Sequence, residues 1–142
     1  MKFLLISFFS VFATISAGAQ DCERIVQNCE ALLKSNSNGS EFISDGQVYT
    51  AFLDRQEVAE FKTTLFGGTT YRIAASAGSK ENYVIFTIKD PEGNILFSNH
   101  NYKNAPHWDF KVLETLPVTI QTKMDSDLKL TGCAVMLIGF KK

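Results

Sequence analysis

Residues 57–77 read EVAEFKTTLFGGTTYRIAASA, and this stretch decides the fold. In its first half Ala59, Phe61, Thr63 and Leu65 fall on one face of an extended chain. In its second half Tyr71, Ile73, Ala75 and Ala77 share a face against Thr70, Arg72, Ala74 and Ser76. Successive side chains of a strand point to opposite faces, so apolar residues at every second position mark a half-buried strand. Gly67-Gly68 separates the two strands by a tight turn.

The same period extends along the chain. Val84, Phe86 and Ile88 oppose Tyr83, Ile85, Thr87 and Lys89. Trp108, Phe110 and Val112 alternate with His107, Asp109 and Lys111, and Val118, Ile120 and Thr122 with Thr119, Gln121 and Lys123. Asp90-Pro91-Glu92-Gly93 has Pro at the second and Gly at the last position of a type I turn, joining the strand at 83–89 to the one at 95–98. Eight strands are expected, near 48–54, 57–66, 69–77, 82–90, 94–99, 107–114, 117–124 and 129–140. Short strands at roughly 10–12-residue intervals make an antiparallel sandwich or barrel. Eight of them suit a two-sheet jelly roll.

The last run breaks the alternation. Cys133-Ala134-Val135-Met136-Leu137-Ile138-Gly139-Phe140 is apolar on both faces, and a strand buried on both faces needs a second cover. The apolar element left to supply it is N-terminal. Cys22, Ile25, Val26, Cys29, Leu32 and Leu33 recur at three- and four-residue steps, the stripe of a short helix that Asp21 can cap. So short a helix is marginal alone and must dock. The expected fold is therefore mainly β: an antiparallel jelly-roll-like sandwich with one N-terminal α-helix packed on a sheet near the last strand. The alternative cover is a homodimer or other partner surface.

Upstream of the helix, Lys2 is followed by the apolar run FLLISFFSVFATI (Phe3 to Ile15) and by Ala17-Gly18-Ala19, the small-x-small pattern of a signal-peptidase site. The run is shorter than the roughly 20 residues of a membrane span. A signal peptide over 1–19, cleaved after Ala19, leaves 123 of 142 residues. A lipid anchor on Cys22 does not fit, because Ala19-Gln20-Asp21 is not the small apolar run that precedes a lipoprotein cysteine. The organisation expected is a helix at 20–35, a linker at 36–46 and a sandwich at 47–142, with 20–142 forming one structural domain. The linker holds a polar SNSNGS run whose Asn38-Gly39-Ser40 matches the glycosylation sequon, though it reads as an unmodified loop.

A secreted or periplasmic chain favours disulfides. Cys22 and Cys29 lie about 10.5 Å apart along a helix, beyond the roughly 7 Å that a disulfide spans between Cα atoms. The bridge then joins Cys133 to Cys29 or to Cys22, with Cys29, mid-helix, preferred. It closes a loop of about 100 residues, worth up to about 5 kcal/mol in the chain-entropy model.

Several function classes are excluded. A net charge of −1 gives no electrostatic case for nucleic acid. No CxxC pair, zinc-type His/Cys spacing, GxSxG, HExxH, GxGxxG or P-loop pattern occurs, so no cofactor, metal or catalytic residue is expected. Cys29 or Cys133 with His107 could form a Cys–His pair, but both cysteines sit in apolar stripes that suit structure. Asp125-Ser126-Asp127 lacks the rest of a calcium loop. The segment that invites a site is Asn99-His100-Asn101-Tyr102-Lys103-Asn104-Ala105-Pro106-His107-Trp108, which concentrates aromatics and amides in a loop. Tyr102 and Trp108 could stack on a sugar or peptide, with Asn101, Asn104 and His107 supplying hydrogen bonds. Against this, Trp108 shares parity with Phe110 and Val112, which places it in the core.

Gly67–Ala75, followed by a strand and by Asp90-Pro91-Glu92-Gly93-Asn94-Ile95-Leu96-Phe97, resembles the strand and D-x-x-G turn order of pre-peptidase C-terminal-type sandwiches. That resemblance implies fold alone. Ser44–Tyr49, Gly67–Ala75, Asn104–Phe110 and Gly132–Phe140 make the chain similar to a group of small secreted proteins of Bacteroidetes-type bacteria. It implies export and transfers no activity. The function expected is a non-enzymatic secreted or periplasmic module that binds a small ligand, glycan or peptide without stable membrane insertion. The alternatives are a structural subunit associating through the apolar last strand, and a hydrolase whose site is assembled from scattered residues.

Overall fold

The computed structural model describes residues 17–35, 41–78 and 82–141, with the side chains of 17–21 left out. The apolar run of the expected signal peptide and the Asn38-Gly39-Ser40 sequon lie outside these residues. The elements are α1 (Ala17–Lys34), β1 (Ile43–Ser44), β2 (Tyr49–Asp54), β3 (Val58–Leu65), β4 (Thr69–Ser76), β5 (Val84–Lys89), β6 (Ile95–Ser98), β7 (His107–Val112), β8 (Leu116–Met124) and β9 (Thr131–Lys141).

Two antiparallel sheets face each other, as the alternation requires. One runs β2–β9–β4–β7, with β1 also paired to β9, and the other runs β3–β8–β5–β6. This is the strand order of a jelly roll. Ile73, Phe86, Ile120, Met136 and Ile138 meet between the sheets, each almost fully buried.

Among the described residues, β5 and β6 are the one pair of consecutive strands that hydrogen-bond to each other. Their turn is the Asp90–Gly93 turn. The Gly93 N–H donates to Asp90 O at 3.1 Å, and Asp90 Oδ1 accepts from the N–H groups of Glu92 and Asn94. Asn94 also donates to Oδ2, and these bonds hold the exposed carboxyl below the usual carboxylate range.

Gly67-Gly68 does something other than close a hairpin. The chain crosses there from one sheet to the other, so β3 and β4 do not pair. The Gly68 N–H, at φ +82°, donates across to Val112 O at 2.8 Å. Nor is the whole of 36–46 a linker. Ile43 and Ser44 pair with Phe140 and Gly139, a strand too short to show alternation in sequence.

Helix α1 covers the outer face of β9 and β4, as the two-faced last strand demanded. Ile25, Cys29 and Leu33 are buried with Cys133, Val135, Leu137, Ala74 and Phe42. Burying each large apolar side chain contributes roughly 1.5–3 kcal/mol. Leu33 packs directly on the backbone at Gly139, where a Cβ would lie 2.8 Å from its Cδ1.

Two attachments fix the helix. At its start, the disulfide joins Cys22 to Cys133, with Cα atoms 5.5 Å apart. This corrects the expected Cys29–Cys133 bridge. The helix advances along β9, so Cys22 lies over Cys133, while Cys29 sits farther on. The Cys29 thiol is free and buried, donating to Ala74 O at 3.2 Å. Burial pushes its pKa up from 9.0 to about 12.

At the other end, Arg72 projects from the outer face of β4 and is 2% exposed. Its guanidinium donates to Leu33 O at 3.2 Å and to Leu32 O and Ser35 O, carbonyls at and just beyond the C-terminal end of α1, where Leu32 O also accepts from the Ser35 N–H and hydroxyl. It also forms a two-pronged pair with Asp109 on β7, at 2.6 and 3.0 Å, and lies 4.4 Å over the Phe42 ring. A bidentate carboxylate pair of this kind is among the stronger charged hydrogen bonds.

Arg72→Met should lower unfolding free energy by about 2–3 kcal/mol, because the helix carbonyls lose a charged donor. Urea denaturation checks it. Reducing the disulfide should cost a further 2–5 kcal/mol, roughly. In thiol titration, native protein should show no reactive cysteine near neutral pH, and unfolded, non-reduced protein one. The folded state favours the protonated Cys29 thiol. That preference contributes in full below pH 9 and is lost as pH rises toward 12. Wild type should therefore lose stability relative to Cys29→Ala across that window.

Candidate functional site

The expected site segment lies where β6 and β7 form neighbouring edges of opposite sheets. It folds as a single 3-10 helix, Asn99–Tyr102, entered by Ser98, whose hydroxyl accepts from the His100 N–H. Lys103 and Asn104 follow with φ of +56° and +53°.

Two buried asparagines hold this loop, and each is committed internally. Asn99, fully buried, accepts from the Phe86 N–H at 2.9 Å and donates to Val84 O and Ala105 O. It takes the place of a strand partner where β6 ends. Asn104 donates to Asn82 O at 3.1 Å and Asp125 Oδ2 at 2.6 Å. Its Oδ1 therefore faces His100 Nδ1 at 3.0 Å, so that ring nitrogen is the donor. Asn104, expected to contact a ligand, instead fastens the loop to the β8–β9 turn. Asn101 is exposed beside it.

Tyr102 and Trp108 do come together. Their ring centroids are 4.4 Å apart, and both pack on Phe97, at 5.6 and 5.2 Å. Phe110 meets Phe97 edge-on at 4.9 Å. The rings fill the space between them, so Tyr102 and Trp108 offer no open slot. His107 does not join them. It pairs with Ala74 on the outer face of β7, whereas Trp108 pairs with Ile73 on the inner face.

The opening lies beside the ring cluster. An apolar cleft of about 320 Å³ runs between the two edges, lined chiefly by Leu96, Phe97, Trp108, Phe110, Leu113 and Leu116. Leu113 is 80% exposed, and Ile95, Leu96 and Tyr102 are each at least half exposed. Lys111 and Glu114 stand at its rim. Single exposed apolar residues are ordinary, but a cluster of them along an open edge marks an interaction surface. Sequence reasoning missed Leu96 and Leu113. The available signal was an apolar residue at an expected strand end where the alternation calls for a polar one.

Reactive groups do not converge here. Among the described residues no group of three or more His, Cys, Asp or Glu could hold a metal ion. Cys133 is in the disulfide and Cys29 is kept protonated by burial. Tyr49 is raised by burial and by Asp45, and it sits on β2 at the far edge. The Val135–Leu137 face proposed for association is also closed, since α1 buries both residues.

No protein-family model matches the chain, and no curated protein matches it. Among solved structures it is similar to Aeromonas hydrophila PliG, a periplasmic lysozyme inhibitor of g-type lysozyme. The identity is 10%, with a TM-score of 0.53 over 74% of this chain and 90% of that one. The two share a fold. No helix among the described residues is long and apolar enough to cross a membrane.

Asn104→Ala should cost about 1–3 kcal/mol by leaving buried polar groups unpaired. Tyr102→Ala should cost about 1–2 kcal/mol, for lost ring contacts and area, and should red-shift the emission of Trp108, the single tryptophan. Denaturation and fluorescence of the two variants check both outcomes.

Proposed function

We propose that the protein is an exported, non-enzymatic binding module that takes a protein or peptide partner at the β6–β7 edge. The observation that carries this reading is the exposed apolar cleft between two strand edges, with Leu96 and Leu113 at its mouth. Free edges can accept a further strand by backbone hydrogen bonds, while a flanking apolar cleft takes its side chains. A sugar would need convergent polar groups around an aromatic platform. Here Asn99 and Asn104 are spent within the loop and His107 lies on the other face. This supports a peptide over a glycan.

The cystine supports an oxidising compartment, secreted or periplasmic. Cleavage after Ala19 fits it, since the disulfide then ties down the new N-terminus. The same disulfide occupies the thiol that a lipid anchor would need. The PliG likeness makes a g-type lysozyme a reasonable partner to try first.

The test is an array of peptides, oligosaccharides and immobilised g-type lysozyme probed with wild type and with Leu113→Glu. Peptide or protein binding weakened at least tenfold by Leu113→Glu is the expected result. Binding that survives the substitution unchanged, or binding confined to oligosaccharides, would overturn the reading.

A further inference from the structure

A second cleft, about 450 Å³, opens between the middle turns of α1 (Arg24, Ile25, Asn28) and the end of the sandwich, beside the disulfide. It shares no lining residue with the β6–β7 cleft. Arg24 from the helix and Lys129 from the β8–β9 connection line it, with Asn28 and Thr131, and among the described residues no acidic one does. In a chain whose net charge is −1, two cations facing one cleft without a carboxylate among the described residues is a local excess.

Lys129 is held in place rather than waving in solvent. Its ammonium donates to Ala77 O at 2.7 Å and sits 5.6 Å from the Tyr83 ring centroid. Its stem runs along a track left by two glycines. A Cβ at Gly132 would meet Lys129 Cε at 3.0 Å, and one at Gly78 would meet Nζ at 3.5 Å. An ammonium has three donors, and among the described residues Ala77 O accepts from one of them. Arg24 is exposed and forms no ion pair with a described residue. Asn28 donates to Gly78 O at 3.2 Å, fixing the wall between the two cations. The remaining lining is apolar: Ile25, the disulfide at Cys133, and the 66%-exposed ring of Phe52.

We propose that this cleft is a binding site for an amphipathic carboxylate, an apolar body ending in a carboxylate of the kind found at a peptide C-terminus. The carboxylate bridges Arg24 and Lys129, and the apolar body lies against Phe52 and Ile25. Guanidinium and ammonium donors give charge-assisted bonds to a carboxylate, and the apolar wall discriminates against a bare ion.

The probes are N-acetyl-phenylalanine, its methyl ester and inorganic phosphate, titrated into the full disulfide-bonded protein and followed by amide NMR shifts. Saturable shifts at Arg24, Gly78 and Gly132 with the free acid are expected, together with at least fivefold weaker binding by Arg24→Gln. That variant removes an exposed charge and leaves the fold intact. Ester binding as tight as the acid, phosphate binding as tight as the acid, or no effect of Arg24→Gln would each overturn the proposal.

Discussion

Strand β9 carries apolar side chains on both faces, and a two-layer sandwich covers one. Everything distinctive in this structure follows from supplying the second cover. Ala134, Met136 and Ile138 face the sandwich core, while Cys133, Val135 and Leu137 face outward. Left uncovered, that outer face would expose a contiguous apolar patch of the kind that drives association. Helix α1 closes it, and a helix of this length needs tertiary partners to persist. Strand and helix therefore stabilise each other, one providing the apolar surface and the other removing it from water.

The two ends of the helix are secured by different physics. The disulfide at Cys22 acts largely by restricting the unfolded chain, over a sequence separation of 111 residues. Arg72 acts in the folded state, neutralising the carbonyl end of the helix and pairing with Asp109. Burying a charge is costly unless it is paired and hydrogen-bonded, and each of these donors has a partner. With both ends fixed, the Cys29 thiol is sealed beneath the middle of the helix. The cleft holding Arg24 and Lys129 opens beside the disulfide, between α1 and the β8–β9 connection.

The architecture was largely legible in the sequence because sheet burial writes itself as period two. Tyr71, Ile73 and Ala75 fell on the core face as read, and the two-faced run from Cys133 to Phe140 called for the helix. What was not legible depended on where elements land relative to one another. Nothing local distinguishes Cys22 from Cys29 as the partner of Cys133; the direction in which α1 crosses β9 decides it. Arg72 reads as one more outward polar residue between Thr70 and Ala74, and only the helix end above it makes it a buried cap. Asn104 and His107 looked like ligand groups because amides and imidazoles in a loop serve recognition and backbone satisfaction equally well. Leu96 and Leu113 carry their signal as misplaced apolar residues, which short strands tolerate without functional meaning.

Native-state hydrogen exchange on the oxidised protein tests the central claim most directly. If α1 is part of the core, its amides between Ile25 and Leu33 should exchange with the same opening free energy as those of β9, through one cooperative unit. Arg72→Met should lower both together. Exchange of the α1 amides through a separate low-energy opening, while β9 and β4 stay fully protected, would contradict the account.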